Sequence, residues 1–420
     1  MIKREILNKI KYWLNKEKII ILKWARQVWK TTLMKKIESH LNEDKKNVTV
    51  FLQADKIDNY DIFKTPDSLI TYLNIKYNFP NTYIYLFIDE FQHIKEAWMF
   101  LKNIFDEYRD KLQIIVSGSS SLEITKNSEF LTWRAINFYI GRIGFSDFFA
   151  FKENVNNTKK IELDNFSEIE KFYSVFKNAL EKHFMDYITY WAYPEIVSVN
   201  NVYEKEAIIN QIVETYIQKD IIDFLHIENI KAFNDLIKVL SSNIWNLVNI
   251  NEIASTINVS MQTVNKYIDI LEWTFVFSRV RPFYKNTRKE LSKMPKIFVE
   301  DLSIKNYSLR EFDSLSKKID LWVEVENFVY TELRKIYNKD QIFFYRTVSK
   351  AEIDFIIEDA FESYIPIEVK YRNKVWLPKV MKNFEENYNV SKKIIITKDI
   401  LKKEEGVYYI PACMLSFIDI

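Results

Sequence analysis

The chain has 420 residues, of which 48% are hydrophobic and 28% charged, and a formal net charge of +2. That length points to about two to four domains rather than one core; the composition excludes a disordered chain, and the near-neutral balance gives no whole-chain reason to invoke nucleic acid or an anionic membrane. The single cysteine, Cys413, excludes an intramolecular disulfide or a cysteine-based zinc site and favours a reducing, cytoplasmic setting.

Ordinary glycine usage of ~7% would give roughly 29 residues; the chain has 4, beside 10 tryptophans. From the N-terminus, Met1 to Glu17 is amphipathic, with Ile6, Leu7, Ile10, Trp13 and Leu14 recurring every three or four residues, which is not a secretory leader. No run of ~18 apolar residues offers a membrane span. Over the first 150 residues, short apolar runs alternate with helical patterns, as in a parallel α/β sheet with crossover helices. Strands are predicted at Lys18 to Leu22, Val48 to Gln53, Tyr83 to Ile88 and Gln113 to Ser117, and helices at Lys30 to Leu41, Asp67 to Tyr77 and Ile94 to Tyr108. From about Asn154 to Asn243 the apolar spacing is helical almost throughout, as in a lid or linker bundle. Val248 to Phe283 predicts a small helix-turn-helix followed by a strand pair, and Lys293 to Ile420 predicts helix, three strands, helix, strand. The domains expected are 1–153, 154–246, 247–292 and 293–420.

After the first strand comes KWARQVWKTTL, Lys23 to Leu33, running into a helical pattern. A P-loop needs a strand, then G-x-x-x-x-G-K-[ST], then a helix, because backbone N–H groups at the helix start wrap the phosphates. Everything is present except the glycines, whose places are taken by Trp24 and Trp29. The nucleotide-binding set is therefore Trp24, Ala25, Arg26, Gln27, Val28, Trp29, Lys30, Thr31 and Thr32, with Lys30 reaching the β- and γ-phosphates of ATP and Thr31 ligating Mg²⁺. A tryptophan at either glycine place resists φ > 0 and blocks the approach of phosphate to backbone.

Tyr83 to Glu90, YIYLFIDE, is a buried strand ending in two acids. Asp89 suits Mg²⁺ held through water, and Glu90 suits polarisation of the attacking water. The next apolar strand ends at Ser117, a polar side chain placed to sense the γ-phosphate. Arg134 and Arg142 are candidates for stabilising the transition-state charge, in cis or from a neighbouring subunit.

In Asn251 to Leu271, the inner face of two short helices is Ile253, Ala254, Ile257, Val259, Val264, Tyr267 and Ile268, with Ser260 an N-cap of the second helix. This unit either places Gln262, Thr263 and Lys266 in a DNA major groove or serves as a lid or protein-contact module.

Near the C-terminus, Asp354 lies in a strand of period-two alternation, and Tyr364 to Lys370 is a second strand ending IEVK. In an antiparallel pair, Asp354, Glu368 and Lys370 can converge on one side. The two carboxylates suit Mg²⁺, and the lysine suits orienting a water or neutralising a scissile phosphate. This D-x13-E-x-K arrangement resembles the PD-(D/E)xK nuclease fold, although no Pro-Asp pair occurs at 353 and 354. Glu326, on the preceding helix, is placed to support the metal.

Taken together, the chain resembles the predicted AAA+ superfamily ATPases of bacteria and archaea that carry a C-terminal nuclease-like domain of unknown function. The resemblance is carried by Ala25 to Leu33, LFIDEFQHI at Leu86 to Ile94, SGSSSLEI at Ser117 to Ile124, Leu131 to Arg134, YPEIV at Tyr193 to Val197, Arg281 to Ile297, and ENFVYTEL at Glu326 to Leu333. The chain departs from the family at Trp24, Trp29, Trp98, Trp133, Trp191, Trp245 and Trp322, where members usually have glycine, with Trp273 a further candidate and Trp13 an ordinary apolar helix residue. Its richness in Lys, Ile, Asn, Tyr and Phe fits AT-rich coding. Some bacterial lineages read UGA as glycine where common alternative code tables read tryptophan, so most of these tryptophans are read as glycine codons decoded as tryptophan. The alternative is a genuinely degenerate ATPase.

The expected architecture is thus an N-terminal P-loop, AAA+-type parallel sheet, a helical lid and winged helix-turn-helix, and a C-terminal α/β nuclease-like domain. The expected function is ATP hydrolysis coupled to a Mg²⁺-dependent, DNA-directed C-terminal domain; the alternative is a nucleotide-switched partner-binding protein that does not cut. AAA+ relatives often form rings, so the resemblance implies a homo-oligomer.

Overall fold

The computed structural model describes residues 6–24, 30–44, 46–118, 131–140, 143–155, 160–190, 193–223, 225, 227–312 and 321–420. The chain divides into two compact units, Lys3–Ile143 and Gly144–Ile420.

The first unit runs α1 (Ile6–Trp13), β1 (Ile19–Trp24), α2 (Lys30–Leu41), β2 (Val48–Gln53), α3 (Pro66–Tyr77), β3 (Ile84–Asp89), α4 (Ala97–Tyr108), β4 (Leu112–Gly118) and β5 (Ala135–Ile140). Its sheet has the order β2-β3-β4-β1-β5, and every pairing is parallel. Residues of β3 and β4 are buried at every position because helices cover both faces, which is why they read as unbroken apolar runs. Alternation shows up instead in which core each residue enters. Ile19 and Ile21 join the cluster of Leu73, Phe91 and Leu101, whereas Ile20 and Leu22 join that of Met34 and Ile37. Thr65 caps α3 by accepting from Ser68 N, with Pro66 in the first turn and Asn78 ending the helix at φ 57°. All five strands run the same way, so their C-terminal ends share one edge.

In the second unit come α5 (Phe145–Lys152), α6 (Phe166–Tyr190), α7 (Pro194–Val197), α8 (Val202–Thr215), α9 (Ile230–Ser242), α10 (Ile250–Thr256) and α11 (Met261–Trp273). The two-residue β6 (Ile161–Glu162) interrupts the helical stretch and pairs with a C-terminal strand, Ile418–Asp419. Asn249 and Ser260 cap α10 and α11, and Asn258 makes the turn between them at φ 53°. Next come β7 (Phe277–Pro282), α12 (Thr287–Ser292), β8 (Lys296–Val299), α13 (Leu302–Leu309), α14 (Trp322–Ile336), β9 (Ile342–Arg346), β10 (Glu352–Ala360), β11 (Ser363–Lys370), α15 (Lys379–Asn387), β12 (Lys393–Thr397), β13 (Lys402–Glu404) and β14 (Val407–Pro411).

The strand pair after α11 does not stand alone. β7 pairs antiparallel with β8 and parallel with β9, giving an eight-stranded sheet of order β13-β14-β12-β11-β10-β9-β7-β8. Arg279 on β7 pairs with Asp269 (2.6 Å) and Glu272 on α11, and Lys339, just before β9, also meets Glu272. One face of the sheet packs on α15 through Phe283, Ile356, Met381 and Phe384. Helix α14 is buried from Glu324 to Leu333, and its Phe328 meets an aromatic cluster of Phe145, Phe184 and Tyr187.

Among the described residues no helix is long and apolar enough to cross a membrane. Thirteen described non-glycine residues have positive φ, and two are tryptophans, Trp133 at 61° and Trp245 at 76°. A left-handed backbone costs a residue with a Cβ about 1–2 kcal/mol. Trp133 is 57% exposed, so little packing offsets that cost. We therefore expect Trp133→Gly to be more stable than Trp133→Ala by about 1 kcal/mol in urea unfolding, the reverse of the ordinary order of the two residues.

Candidate functional site

The first candidate site lies on the C-terminal edge of the five-stranded sheet. β1 ends at Trp24 beside Ile140 of β5, and Leu22 lies opposite Ser117 of β4. Residues 25–29 and 141–142, and with them Ala25, Arg26, Gln27, Val28, Trp29 and Arg142, lie outside the described residues, as does Trp191. Lys30, Thr31 and Thr32 form the first turn of α2; the side chains of these three and of Trp24 are likewise outside the described set.

Beside the start of this loop, Ser117 and Asp89 end neighbouring strands, both buried, and the Ser117 hydroxyl donates to Asp89 Oδ1. Glu90 N reaches Asp89 Oδ1 and Ser117 Oγ, both at 3.2 Å, and Glu90 itself turns through φ 55°. Gln92, which the sequence reading did not single out, donates through Nε2 to the Glu90 carboxylate. Gly118 is needed here: a Cβ would meet Phe91 Cε1 at 2.8 Å. Asp89, Glu90 and Ser117 are thus brought together at the strand ends, one strand away from the end of β1.

Arg134 is not brought to this edge. Its carbonyl accepts from Ile19 N at 2.8 Å, which places it where β1 and β5 begin. Six residues of strand, at ~3.3 Å each, separate that end from the other. Its guanidinium holds Asp106 through two bonds, of 2.6 and 3.0 Å.

The second candidate site lies in the eight-stranded sheet. The register that sets Phe355 opposite Ile367 puts Asp354 opposite Glu368. Asp354 N lies 3.4 Å from Glu368 Oε2, Asp354 Oδ2 accepts from Val369 N at 2.7 Å, and Lys370 Nζ meets Glu368 Oε1 at 2.5 Å. Glu326, from α14, is fully buried, and neither of its carboxylate oxygens has a hydrogen-bond partner. Lys296 of β8, also buried, pairs with Glu326 at 3.6 Å and with Glu352. Neither Lys296 nor Glu352 is among the residues that the sequence singled out. The available signal was a lysine heading the apolar run Ile297 to Val299.

Burial governs the electrostatics. It pushes the Glu326 carboxyl well above its ordinary value, and the nearby Asp354 charge adds to this against the pull of Lys296. Asp354 is raised by burial, opposed by Lys296 and the Val369 N–H. Glu368 is pushed to about 8 by burial and then by Asp354, opposed by Lys370. For Lys296 burial works against the charge, but Glu326, Asp354 and Glu352 outweigh it and raise its pKa. Among the described residues no group of three or more His, Cys, Asp or Glu side chains converges as a metal cage. The oxygen donors on offer are the facing pair Asp354 and Glu368, with Glu326 nearby. Their chemistry fits a hard, oxygen-seeking cation such as Mg²⁺.

Residues 16–149 match the family described as AAA domain. Residues 181–315 and 324–415 match two families described as domains of unknown function (DUF8612 and DUF4143). The chain is similar to an uncharacterized protein of Haemophilus influenzae, 24% identical over 329 residues, covering 77% of this chain and 74% of that one. It is similar to an uncharacterized protein of Methanocaldococcus jannaschii, 25% identical over 365 residues, covering 84% of this chain and 76% of that one. Among solved structures it is similar to the ORC1 protein of Aeropyrum pernix in complex with DNA, with TM-score 0.32 and 10% identity over 74% of this chain and 93% of that one. The parallel sheet and the family match define the N-terminal unit as a P-loop domain of the AAA+ type. The chain joins that AAA domain to a C-terminal domain of unknown function, as in the AAA+ ATPases it resembles.

The raised Glu368 carboxyl has a measurable consequence. Between its ordinary value of 4.5 and about 8 the folded state holds a proton that the unfolded state has lost. Stability from this group is therefore fully present below pH 4.5 and is lost as pH rises to about 8. In thermal unfolding across that range, the stability of the parent relative to Glu368→Gln should decline by up to a few kcal/mol. A difference independent of pH would show that the carboxyl is not held neutral.

Proposed function

We propose that this protein binds and hydrolyses ATP at the edge after β1 and that nucleotide state controls a Mg²⁺-dependent action of the C-terminal domain on DNA. The observation that carries the first part is the hydrogen-bonded set of Asp89, Ser117 and Glu90 beside the end of β1. In this reading residues 24–32 wrap the phosphates, Lys30 neutralises their charge, and Thr31 and Asp89 hold the Mg²⁺ that accompanies ATP. Glu90, positioned by Gln92, orients the attacking water, and Ser117 responds to the γ-phosphate. Arg134, held at the opposite edge, serves only a neighbouring subunit's site in a homo-oligomer.

In the C-terminal domain Asp354 and Glu368 hold Mg²⁺, which supplies charge neutralisation at a phosphodiester. Lys370 orients a water against the scissile phosphate, and Glu326 supports the pair from α14. Segments 1–153, 154–246, 247–292 and 293–420 then act as ATPase domain, helical lid, winged helix and nuclease-like domain. Gln262 and Lys266, exposed on α11, are available to contact DNA, with Thr263 beside them.

One observation favours the second reading, a nucleotide-switched, partner-binding protein that does not cut. Asp354 and Glu368 are only 4% and 3% exposed, which leaves little room for substrate.

The ATPase test uses the chain with Trp24→Gly and Trp29→Gly. In that form we expect ATP binding that Lys30→Ala abolishes, and a kcat that Glu90→Gln lowers about 10²–10⁴-fold with binding retained. The chain with tryptophan at both positions should bind ATP weakly or not at all. UGG codons at 24 and 29 would show that the tryptophans are genuine. For the C-terminal domain, incubation with Mg²⁺ and single- or double-stranded DNA should give cleavage that Lys370→Ala removes. Absence of cleavage on every substrate selects the non-cutting reading.

A further inference from the structure

Two tryptophans lie against the lysines of the carboxylate cluster. Trp245 belongs to the segment joining α9 to α10, which runs along β8: Trp245 N donates to Ile297 O at 2.7 Å, and Val248 N to Pro295 O at 2.8 Å. Its ring centroid is 4.8 Å from Lys296 Nζ. Trp322 opens α14, one helical turn before Glu326 and so on the same face. Its ring centroid is 5.2 Å from Lys370 Nζ and 5.4 Å from Arg372 Cζ. The two indoles meet each other with centroids 5.6 Å apart. Both are half-buried, while Glu326, Asp354, Glu368 and Lys296 behind them are buried.

The Trp245 indole is poorly accommodated by its surroundings. Trp245 holds φ 76°, a conformation that favours glycine, and its indole N–H is buried without a hydrogen-bond partner. Glu326 is fully buried, and apart from its 3.6 Å ion pair with Lys296 its carboxylate oxygens have no hydrogen-bond partner, so the cluster behind the indoles can accept a further ligand. Carboxylates of this kind are ordinarily satisfied by water or a cation. Both positions are also among those at which the resemblance expects glycine.

We propose that positions 245 and 322 form the entrance to the carboxylate cluster, closed by two indoles in this chain and opened when both residues are glycine. Through it a hydrated divalent cation and an anionic phosphodiester strand reach Asp354 and Glu368, between Lys296 and Lys370. Residue size at 245 and 322 thus sets access, and the carboxylates set what is bound. The proposal rests on the metal-dependent reading of the C-terminal domain only for the identity of what enters.

The test compares the full chain with Trp245→Gly/Trp322→Gly by carbodiimide labelling of carboxyl groups with glycine ethyl ester, read by peptide mass spectrometry. Exposed Glu362 is the internal reference. Glu326, Asp354 and Glu368 should resist labelling in the parent and label at least about tenfold faster in the double variant. Trp322→Ala, at a helical position that accepts alanine, is the second variant and should give a partial increase even if the double variant fails to fold. Equal labelling rates in the parent and the folded variants overturn the proposal, as does full labelling of the parent. Calorimetric titration with Mn²⁺ separates the two readings. Binding at least tenfold tighter in the double variant and removed by Asp354→Ala supports both. Faster labelling without Mn²⁺ binding keeps the entrance and removes the metal-dependent reading.

Discussion

Burial of like charges is the constraint on which the C-terminal sheet depends. Asp354, Glu368 and Glu326 sit where water scarcely reaches, and isolated carboxylates in that setting are expensive. The fold meets the cost in two ways: it inserts the Lys296 ammonium among them, and it raises their proton affinity so that fewer need be charged at once. Neither is possible without the particular strand order. Lys296 comes from β8, at one end of the sheet, and Glu326 from α14, so the arrangement exists only when β7 and β8 have joined β9 and β10.

Much of the first unit could be read from the chain itself. Val48–Gln53 and Lys30–Leu41 have the bounds that their apolar patterns predict, because a short β-branched apolar run and an amphipathic helix each leave a local signature. β5 was not predicted: Ala135–Ile140 carries Asn137 within its apolar run and takes its strand form from pairing with β1, more than a hundred residues earlier. In the second unit the facing of Asp354 and Glu368 was legible because hairpin register follows period-two spacing. The pairing of Arg281 with Phe343 was not, since nothing in either segment names a partner so far along the chain. For the same reason Lys296 went unnoticed: its neighbours show a buried strand, but not which carboxylates it will meet.

Scarcity of glycine runs through both units. Backbone that turns left-handed is still required, and Asn15, Asn78, Asn154 and Asn258 supply part of it, as residues that tolerate such φ. Trp133 and Trp245 do not belong to that tolerant class, and Gly118 shows what a retained glycine does where no Cβ fits. At the two tryptophans the demand comes from the left-handed backbone, and at Gly118 from the space that the Phe91 and Gln92 side chains leave.

The bonds of Arg279 and Lys339 to α11 have a mechanical meaning. Glu272, near the end of α11, is gripped by Arg279 on β7 and by Lys339 at the approach to β9, so the helix is fastened to two adjoining strands. A displacement of α11 is therefore felt through these ion pairs at β7 and at the turn leading into β9, the strand beside the one that carries Asp354. Because both attachments meet at one carboxylate, loss of Glu272 would release the end of α11 from β7 and from the approach to β9 at once.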